Sequence, residues 1–222
     1  MIYTFWQGTM PSYIRLCLQT WNKPYTLLNY DNLNKYTDLS VEKLKRFTIV
    51  QACDCVRAHV LRDNGGYWLD ADSIMTTGEM PKATVLGNVE MRTNTIAYLN
   101  TEAHSKMFEE WTRYQDGVLN GANKSKWWAL MGNAFTDPYI KEHTEIEIGS
   151  IYDYWLETDN ETDRPQKYVD YYFNHSYRPA DLPSVIILHN SWTPKWYKGL
   201  TESQVLAQDC TLSNIFRELL KK

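Results

Sequence analysis

The stretch DNGGYWLDAD (63–72) sets two carboxylates, Asp70 and Asp72, two positions apart behind a short apolar run. Alternation along a strand places both side chains on one face. Like charges that close repel unless a cation lies between them or water surrounds both. Oxygen ligands of this kind suit Mg²⁺ or Mn²⁺, which take one or two carboxylates and leave other positions for phosphate oxygens. Two glycines ahead of the run, with Ala71 between the aspartates, describe a tightly packed approach and favour a cation seat over a solvated turn. Asp54 and Arg57 form a second pair, three apart on a helical stretch and therefore on one face. That face is otherwise apolar. The pair reads either as an internal salt bridge or as groups that hydrogen-bond sugar hydroxyls, the ionised partner strengthening each bond. The third element is ILHNSWTPKW (187–196), where His189 ends an apolar strand ahead of small, polar and basic residues. That suits a metal ligand beside a phosphate-binding lysine, Lys195.

These groups need elements to hold them. IYTFW (2–6) reads as a buried first strand, followed by a helix starting at Pro11–Ser12 with Ile14, Cys17, Leu18 and Trp21 at helical spacing. YTLLNY (25–30) is a second strand. A helix over about 41–62 ends on Gly65–Gly66, the left-handed stop that helices commonly use. YWLDAD then reads as a strand with a polar end, with further strands at 83–91, 96–100 and 184–190. Helices are predicted over 104–119 and 202–222, and a turn with a helix over 126–143; the aromatic, acidic stretch 149–184 has no clear period. Strands alternating with helices predict an α/β fold with a mostly parallel central sheet flanked by helices. In such sheets ligands gather at the carboxyl ends of strands, here the ends of YWLDAD and SVIILHN.

Composition narrows the functions. With 23 Lys and Arg against 27 Asp and Glu, the chain lacks the basic balance of a nucleic-acid binder. Its 222 residues suffice for one well-buried core. Cys53 and Cys55, two apart on a helix, cannot pair with each other, and no C-x-x-C spacing suggests zinc. Cys17, Cys53, Cys55 and Cys210 read as buried thiols, which favours a reducing compartment. No signal-peptide pattern and no membrane-spanning run is present, so a cytoplasmic protein is expected, with room for peripheral membrane contact.

The N-terminal FWQG, the block VQACDCVRAHVLRDNGGYWLDAD and the late LHNSW together resemble glycosyltransferases with a D-x-D sugar-binding region. This is family 32, which includes capsular polysaccharide synthesis proteins and is related to the clostridial toxin glucosyltransferases. The resemblance spans about 2–197 and is most specific over 54–72, at Asp54, Arg57, Gly65, Gly66, Asp70 and Asp72. It implies a single domain of GT-A type over 1–222, with 149–184 on the acceptor side. It implies further that Trp6 stacks on the uracil of a UDP-sugar and that Asp54 and Arg57 hold the donor sugar's hydroxyls. Asp70 would contact ribose and metal, Asp72 would bind Mn²⁺ or Mg²⁺ directly, and His189 would complete the metal site. Lys195, six residues on, would take the diphosphate. Ser191 and Trp192 match a closing loop, Asn94 a donor-site asparagine, and Trp68 stands on the donor side where Tyr is usual. Asn190 stands where many relatives carry a second His or a small residue, which leaves the last metal ligand open.

The function so implied is a metal-dependent, retaining transfer of a sugar from a UDP-sugar to a glycan or glycoprotein. No carboxylate stands out as a nucleophile, which favours front-face attack. A non-catalytic sugar- or nucleotide-binding module and a metal-dependent phosphohydrolase are the alternatives.

Overall fold

A computed structural model describes residues 1–121, 125, 127–150 and 163–221 of the chain. The described strands are β1 (Ile2–Phe5), β2 (Tyr25–Leu28), β3 (Gly66–Leu69), β4 (Ser73–Met75), β5 (Val85–Asn88), β6 (Thr93–Thr101), β7 (Ile148–Ser150) and β8 (Val185–Ile187). The helices are α1 (Ser12–Thr20), α2 (Val41–Leu44), α3 (Ile49–Asn64), α4 (Lys106–Asn120), α5 (Asn133–Glu142), α6 (Arg164–Val169), α7 (Lys195–Lys198), α8 (Glu202–Ala207) and α9 (Thr211–Leu219). The chain parts into two compact units: Met1–Gln7, Pro24–Asp70 and Lys82–Ile151 make the first, and Gly8–Lys23, Ala71–Pro81 and Tyr152–Lys222 the second.

The first unit is built on a six-stranded sheet in the order β2-β1-β3-β6-β5-β7. The pairs β1–β2, β1–β3 and β5–β7 are parallel, while β6 runs antiparallel to both neighbours. The α/β expectation therefore holds: a mixed, mostly parallel sheet carries helices α3, α4 and α5. All four residues of β1 are buried, as a strand covered on both faces requires. Trp68 of β3 and Phe108 and Trp111 of α4 are fully buried in the same core as Val56, Val60 and Leu61 of α3.

The helix expected over 41–62 is two helices. Thr48 starts a new one: its hydroxyl accepts from the Gln51 amide at 3.3 Å, and the Gln51 side chain accepts from the Thr48 amide at 3.1 Å. This reciprocal cap satisfies two donors that an uninterrupted helix would leave elsewhere. The stop at Gly65–Gly66 is as expected, with φ of 63° and 95°. A Cβ on Gly65 would stand 2.6 Å from the Ala103 amide nitrogen, and one on Gly66 would stand 2.7 Å from the Met1 carbonyl oxygen. Conformation and space both require glycine there.

The second unit holds the two-stranded antiparallel ladder of β4 and β8, with α1 packed on β4, α8 and α9. Trp21, just past α1, donates its indole N–H to the Ser73 carbonyl at 2.8 Å, and the Thr20 hydroxyl accepts from the Met75 amide at 3.0 Å. The apolar run 184–190 thus forms a strand of this small ladder rather than of the central sheet. The helix expected over 202–222 is α8 and α9. A capping box of Thr201 and Gln204 opens the first, and the extended Cys210 precedes the second. Of the region 149–184, residues 151–162 lie outside the described part. Of its later aromatics, Tyr168, Tyr172 and Phe173 are buried, Tyr168 packing on Tyr172 and Phe173 on Tyr197, while Tyr177 is exposed.

Candidate active site

In the first unit the chemistry gathers where α3 faces the end of β3. Asp54 and Arg57, one helical turn apart, are nearly inaccessible at 2% and 4% exposure, and their side chains meet at 3.3 Å. Arg57 Nη2 also reaches Asp70 Oδ1 at 3.2 Å and the Cys53 Sγ at 3.3 Å. The Trp68 indole N–H donates to Asp70 Oδ1 at 2.7 Å, and its ring lies 5.4 Å below the guanidinium carbon. One guanidinium therefore serves two carboxylates in a buried setting. Burial pushes Asp54 up to about 7; Arg57 opposes the rise and Asp70 adds to it. Asp70 is also raised, by burial, with Arg57 and the Trp68 N–H pulling it back. Asp70 is the member of the triad that meets solvent, with a quarter of its side chain exposed.

Behind this triad β6 carries an irregularity. Its register with β5 shifts between Val85 and Gly87, and Ile96 adopts φ of 49°. A β-branched residue in the left-handed region is strained by about 1–3 kcal/mol and needs neighbours that enforce it. Asn94 does so, its side-chain oxygen accepting from the Ile96 amide at 3.0 Å. The Asn94 amide nitrogen donates to Asp137 at 2.7 Å and to the Thr136 hydroxyl at 3.0 Å, while Asn133 donates to the Asn94 carbonyl at 2.8 Å. The turned Ile96 carbonyl accepts from Arg57 Nη1. Gly132, ahead of α5, completes the neighbourhood. A Cβ there would stand 2.7 Å from Asp54 Oδ2 and 2.5 Å from the tip of Ile96.

The chain passes from the first unit to the second between Asp70 and Ala71, so Asp70 and Asp72 belong to different units. Contrary to expectation, the two aspartates do not alternate along one strand. β3 ends at Leu69; the Asp70 amide still donates to the Ala97 carbonyl at 2.9 Å, in register with the β3–β6 ladder, and the chain then turns at residues 71–72 before β4. Within the second unit the Asp72 carbonyl accepts from the Leu188 amide at 3.1 Å, and its carboxylate accepts from the Asn190 amide at 2.9 Å. His189 lies between those two donors, at the start of a turn closed by the Trp192 and Thr193 amides on the His189 carbonyl. Tyr13 of α1 donates its hydroxyl to the Asn190 side-chain oxygen at 2.6 Å. Asn190, expected only as a substitute for a ligand, thus locks the turn. The Tyr168 hydroxyl accepts from the His189 amide at 3.2 Å and shares a 3.1 Å bond with Thr193. The His189 ring stacks on Trp192 at 4.1 Å, and burial lowers its pKa to about 4, so at neutral pH it is the uncharged imidazole that ligation requires. Lys198 feels the Asp72 charge, although burial lowers its pKa overall.

The remaining expected residues fall as follows. Trp6 follows β1 in the first unit; its amide bonds the Leu28 carbonyl at 3.0 Å, and its indole N–H is buried without a partner. Asn94 is buried, with its side chain engaged inside the protein. Ser191 and Lys195 are exposed, Lys195 opening α7. Sequence reasoning missed Tyr13, Tyr168, Gly132, Asn133 and the Ile96 turn. Of these, Gly132–Asn133 at the head of a helix was the one readable signal.

Asp72 supplies an oxygen donor of the kind that suits Mn²⁺ or Mg²⁺, and His189 a neutral nitrogen donor. Among the described residues no group of three or more His, Cys, Asp or Glu side chains is arranged to hold a metal ion, so the protein's own share here would be small. No helix among the described residues is long and apolar enough to cross a membrane.

No curated protein matches the sequence. A solved structure described as PaToxG Glycosyltransferase is similar with a TM-score of 0.45 and 16% identity, over 64% of this chain and 68% of that one. Residues 1–213 match the family described as Capsular polysaccharide synthesis protein. The chain belongs to that capsular polysaccharide synthesis family, and at this level it is a glycosyltransferase of the family 32 kind acting between a sugar donor and an acceptor.

Proposed function

We propose that the protein transfers a sugar from a nucleotide diphosphate donor, UDP-linked, to a glycan or glycoprotein acceptor with retention at the anomeric carbon, using a divalent cation on a fold of GT-A type. The observation that carries the reading is the placement of Asp70. Its carboxylate is held by Trp68 at 2.7 Å and Arg57 at 3.2 Å, yet a quarter of it stays open. Such a carboxylate accepts from hydroxyls without reorganising, which is how preorganised groups lower a barrier. Asp70 meets the donor, while Arg57, buried and paired with Asp54, holds Asp70.

Asp72 and His189 would hold the cation, with its other positions left to water and donor phosphates. When bound, it would neutralise the leaving diphosphate. Lys195, exposed at the head of α7, adds positive charge for the same group, with Ser191 and Trp192 in the turn before it. Asp54 is too deeply buried and too firmly paired to act as a nucleophile, which supports front-face attack. The bond from the anomeric carbon to the diphosphate oxygen breaks, the acceptor oxygen bonds to the same face of that carbon, and its proton passes to the leaving diphosphate.

The test is incubation with UDP-, GDP- and dTDP-sugars, with and without Mn²⁺, reading free nucleoside diphosphate and sugar by mass. Turnover of a UDP-sugar that needs Mn²⁺ and is lost in Asp70→Asn and Asp72→Ala is expected. Binding without turnover would replace the reading by a sugar-nucleotide-binding module, and hydrolysis of simple phosphoesters would replace it by a phosphohydrolase.

A further inference from the structure

We infer that Asn94 is a positioning residue: by holding Ile96 in its left-handed turn it aims the Ile96 carbonyl at Arg57 and thereby fixes the Asp70 carboxylate. This rests on the reading of Asp70 as the group that meets the donor. Arg57 has few handles. Its Nη2 is shared among Asp54, Asp70 and Cys53, and its Nε is buried without a partner. Its Nη1 donates to the Ile96 carbonyl. Remove that acceptor and the guanidinium is held at one nitrogen, free to pivot, and Asp70 follows it.

The Ile96 carbonyl in turn depends on Asn94. An isoleucine does not keep φ of 49° by itself, and the bond from its amide to the Asn94 side-chain oxygen at 3.0 Å is what stabilises the turn. The orientation of that side chain is set by charge. The Asp137 carboxylate accepts only, so it must face the amide nitrogen of Asn94, at 2.7 Å, which leaves the oxygen toward Ile96. The Asn94 backbone amide bonds the same carboxylate oxygen at 3.1 Å, and Asn133 clamps the Asn94 carbonyl. Asn94 was expected at the donor itself; here it acts two residues and one guanidinium away from it.

A reciprocal exchange tests this. Asn94→Asp keeps the acceptor for Ile96 but sets a carboxylate against Asp137. Adding Asp137→Asn restores a donor between the two positions. For each variant kcat and KM for the donor, the melting temperature and the NMR resonance of the Arg57 Nε–H are read. Asn94→Asp is expected to shift that resonance and to lower kcat by about 100-fold, the scale of an ångström-sized misplacement, with a smaller change in KM. The exchange variant is expected to return both. Should Asn94→Asp not fold, Asn94→Ser carries the test, since its hydroxyl keeps a shorter acceptor and loses the Asp137 clamp; the same resonance shift and a smaller fall in kcat are expected. An unmoved resonance in a folded variant overturns the inference, as does a fall in kcat that the exchange does not recover. If the unaltered protein turns over no nucleotide sugar, the functional reading fails, while the Arg57 resonance still decides whether Asn94 positions it.

Discussion

Each unit of the molecule aims one of the paired aspartates, and they do it by different means. In the first, Asp70 is gripped by a charged group, Arg57, which is shared with a second buried carboxylate and backed by a strained turn. In the second, Asp72 accepts from a backbone amide in a turn that Tyr13, Tyr168 and Thr193 hold with neutral hydroxyls. A charge-assisted grip is strong, but it leaves a costly remnant when one partner goes. A grip made of several neutral bonds loosens by small steps.

The sharpest break of this contrast is Arg57→Met. It leaves Asp54 and Asp70 without their common counter-charge, and a loss of about 3–5 kcal/mol in urea unfolding is expected. A loss below about 1 kcal/mol would show that charge does not hold the first unit together.

A pH series comes next. His59 is buried, with Asp116 at 3.7 Å and no hydrogen-bond partner on either ring nitrogen, and burial lowers its pKa to about 4. The unfolded chain therefore takes up this proton first. The His59 contribution is complete above the ordinary value of about 6.5 and is lost as pH falls from there toward 4, with a slope of up to about 1.4 kcal/mol per pH unit. Asp54 has the opposite sign: its raised pKa makes folding relatively more favourable as pH falls from about 7 toward the ordinary carboxylate range. Unfolding free energies of the unaltered protein and His59→Gln across pH 4–8 should converge as pH falls and run parallel above neutrality. Curves that run parallel throughout would remove His59 as the source.

Two smaller effects sharpen the comparison. Tyr13→Phe deletes one neutral bond to Asn190 and should cost about 1 kcal/mol, with a modest fall in donor turnover. A cost on the scale of Arg57→Met would mean that the second unit is held as rigidly as the first. Asp54→Asn is expected to change stability by less than about 1 kcal/mol at neutral pH, because a carboxyl with a pKa near 7 is already partly protonated there. A large loss would assign Asp54 a full negative charge.

Much of the charged half was legible in the sequence. An Asp and an Arg three apart on an apolar helix face point to one another by helical geometry alone, and Gly65–Gly66 announces the stop that turns the chain into β3. The neutral half was not legible, since its partners are distant in sequence: Tyr13 meets Asn190 across 177 positions, and β4 pairs with β8 across more than a hundred. No local period encodes such meetings. The strand expected to run on through Asp72 stops early for a similar reason: after the ladder bond of the Asp70 amide to Ala97, the Asp72 carbonyl takes the amide of Leu188, far along the chain. The break at 45–48 was readable in principle, as Thr48 with Gln51 three residues on is a capping signature.

The cysteines carry a practical corollary. Cys17, Cys55 and Cys210 are sealed in the interior, whereas Cys53 is only partly buried, and its sulfur lies 3.3 Å from the Arg57 guanidinium. Burial pushes its pKa up to about 12, which keeps it a sluggish thiol at neutral pH while the native cluster is intact. The rate at which an alkylating reagent marks this one sulfur therefore clocks the breathing of α3 around its arginine, with no label introduced and no substrate known.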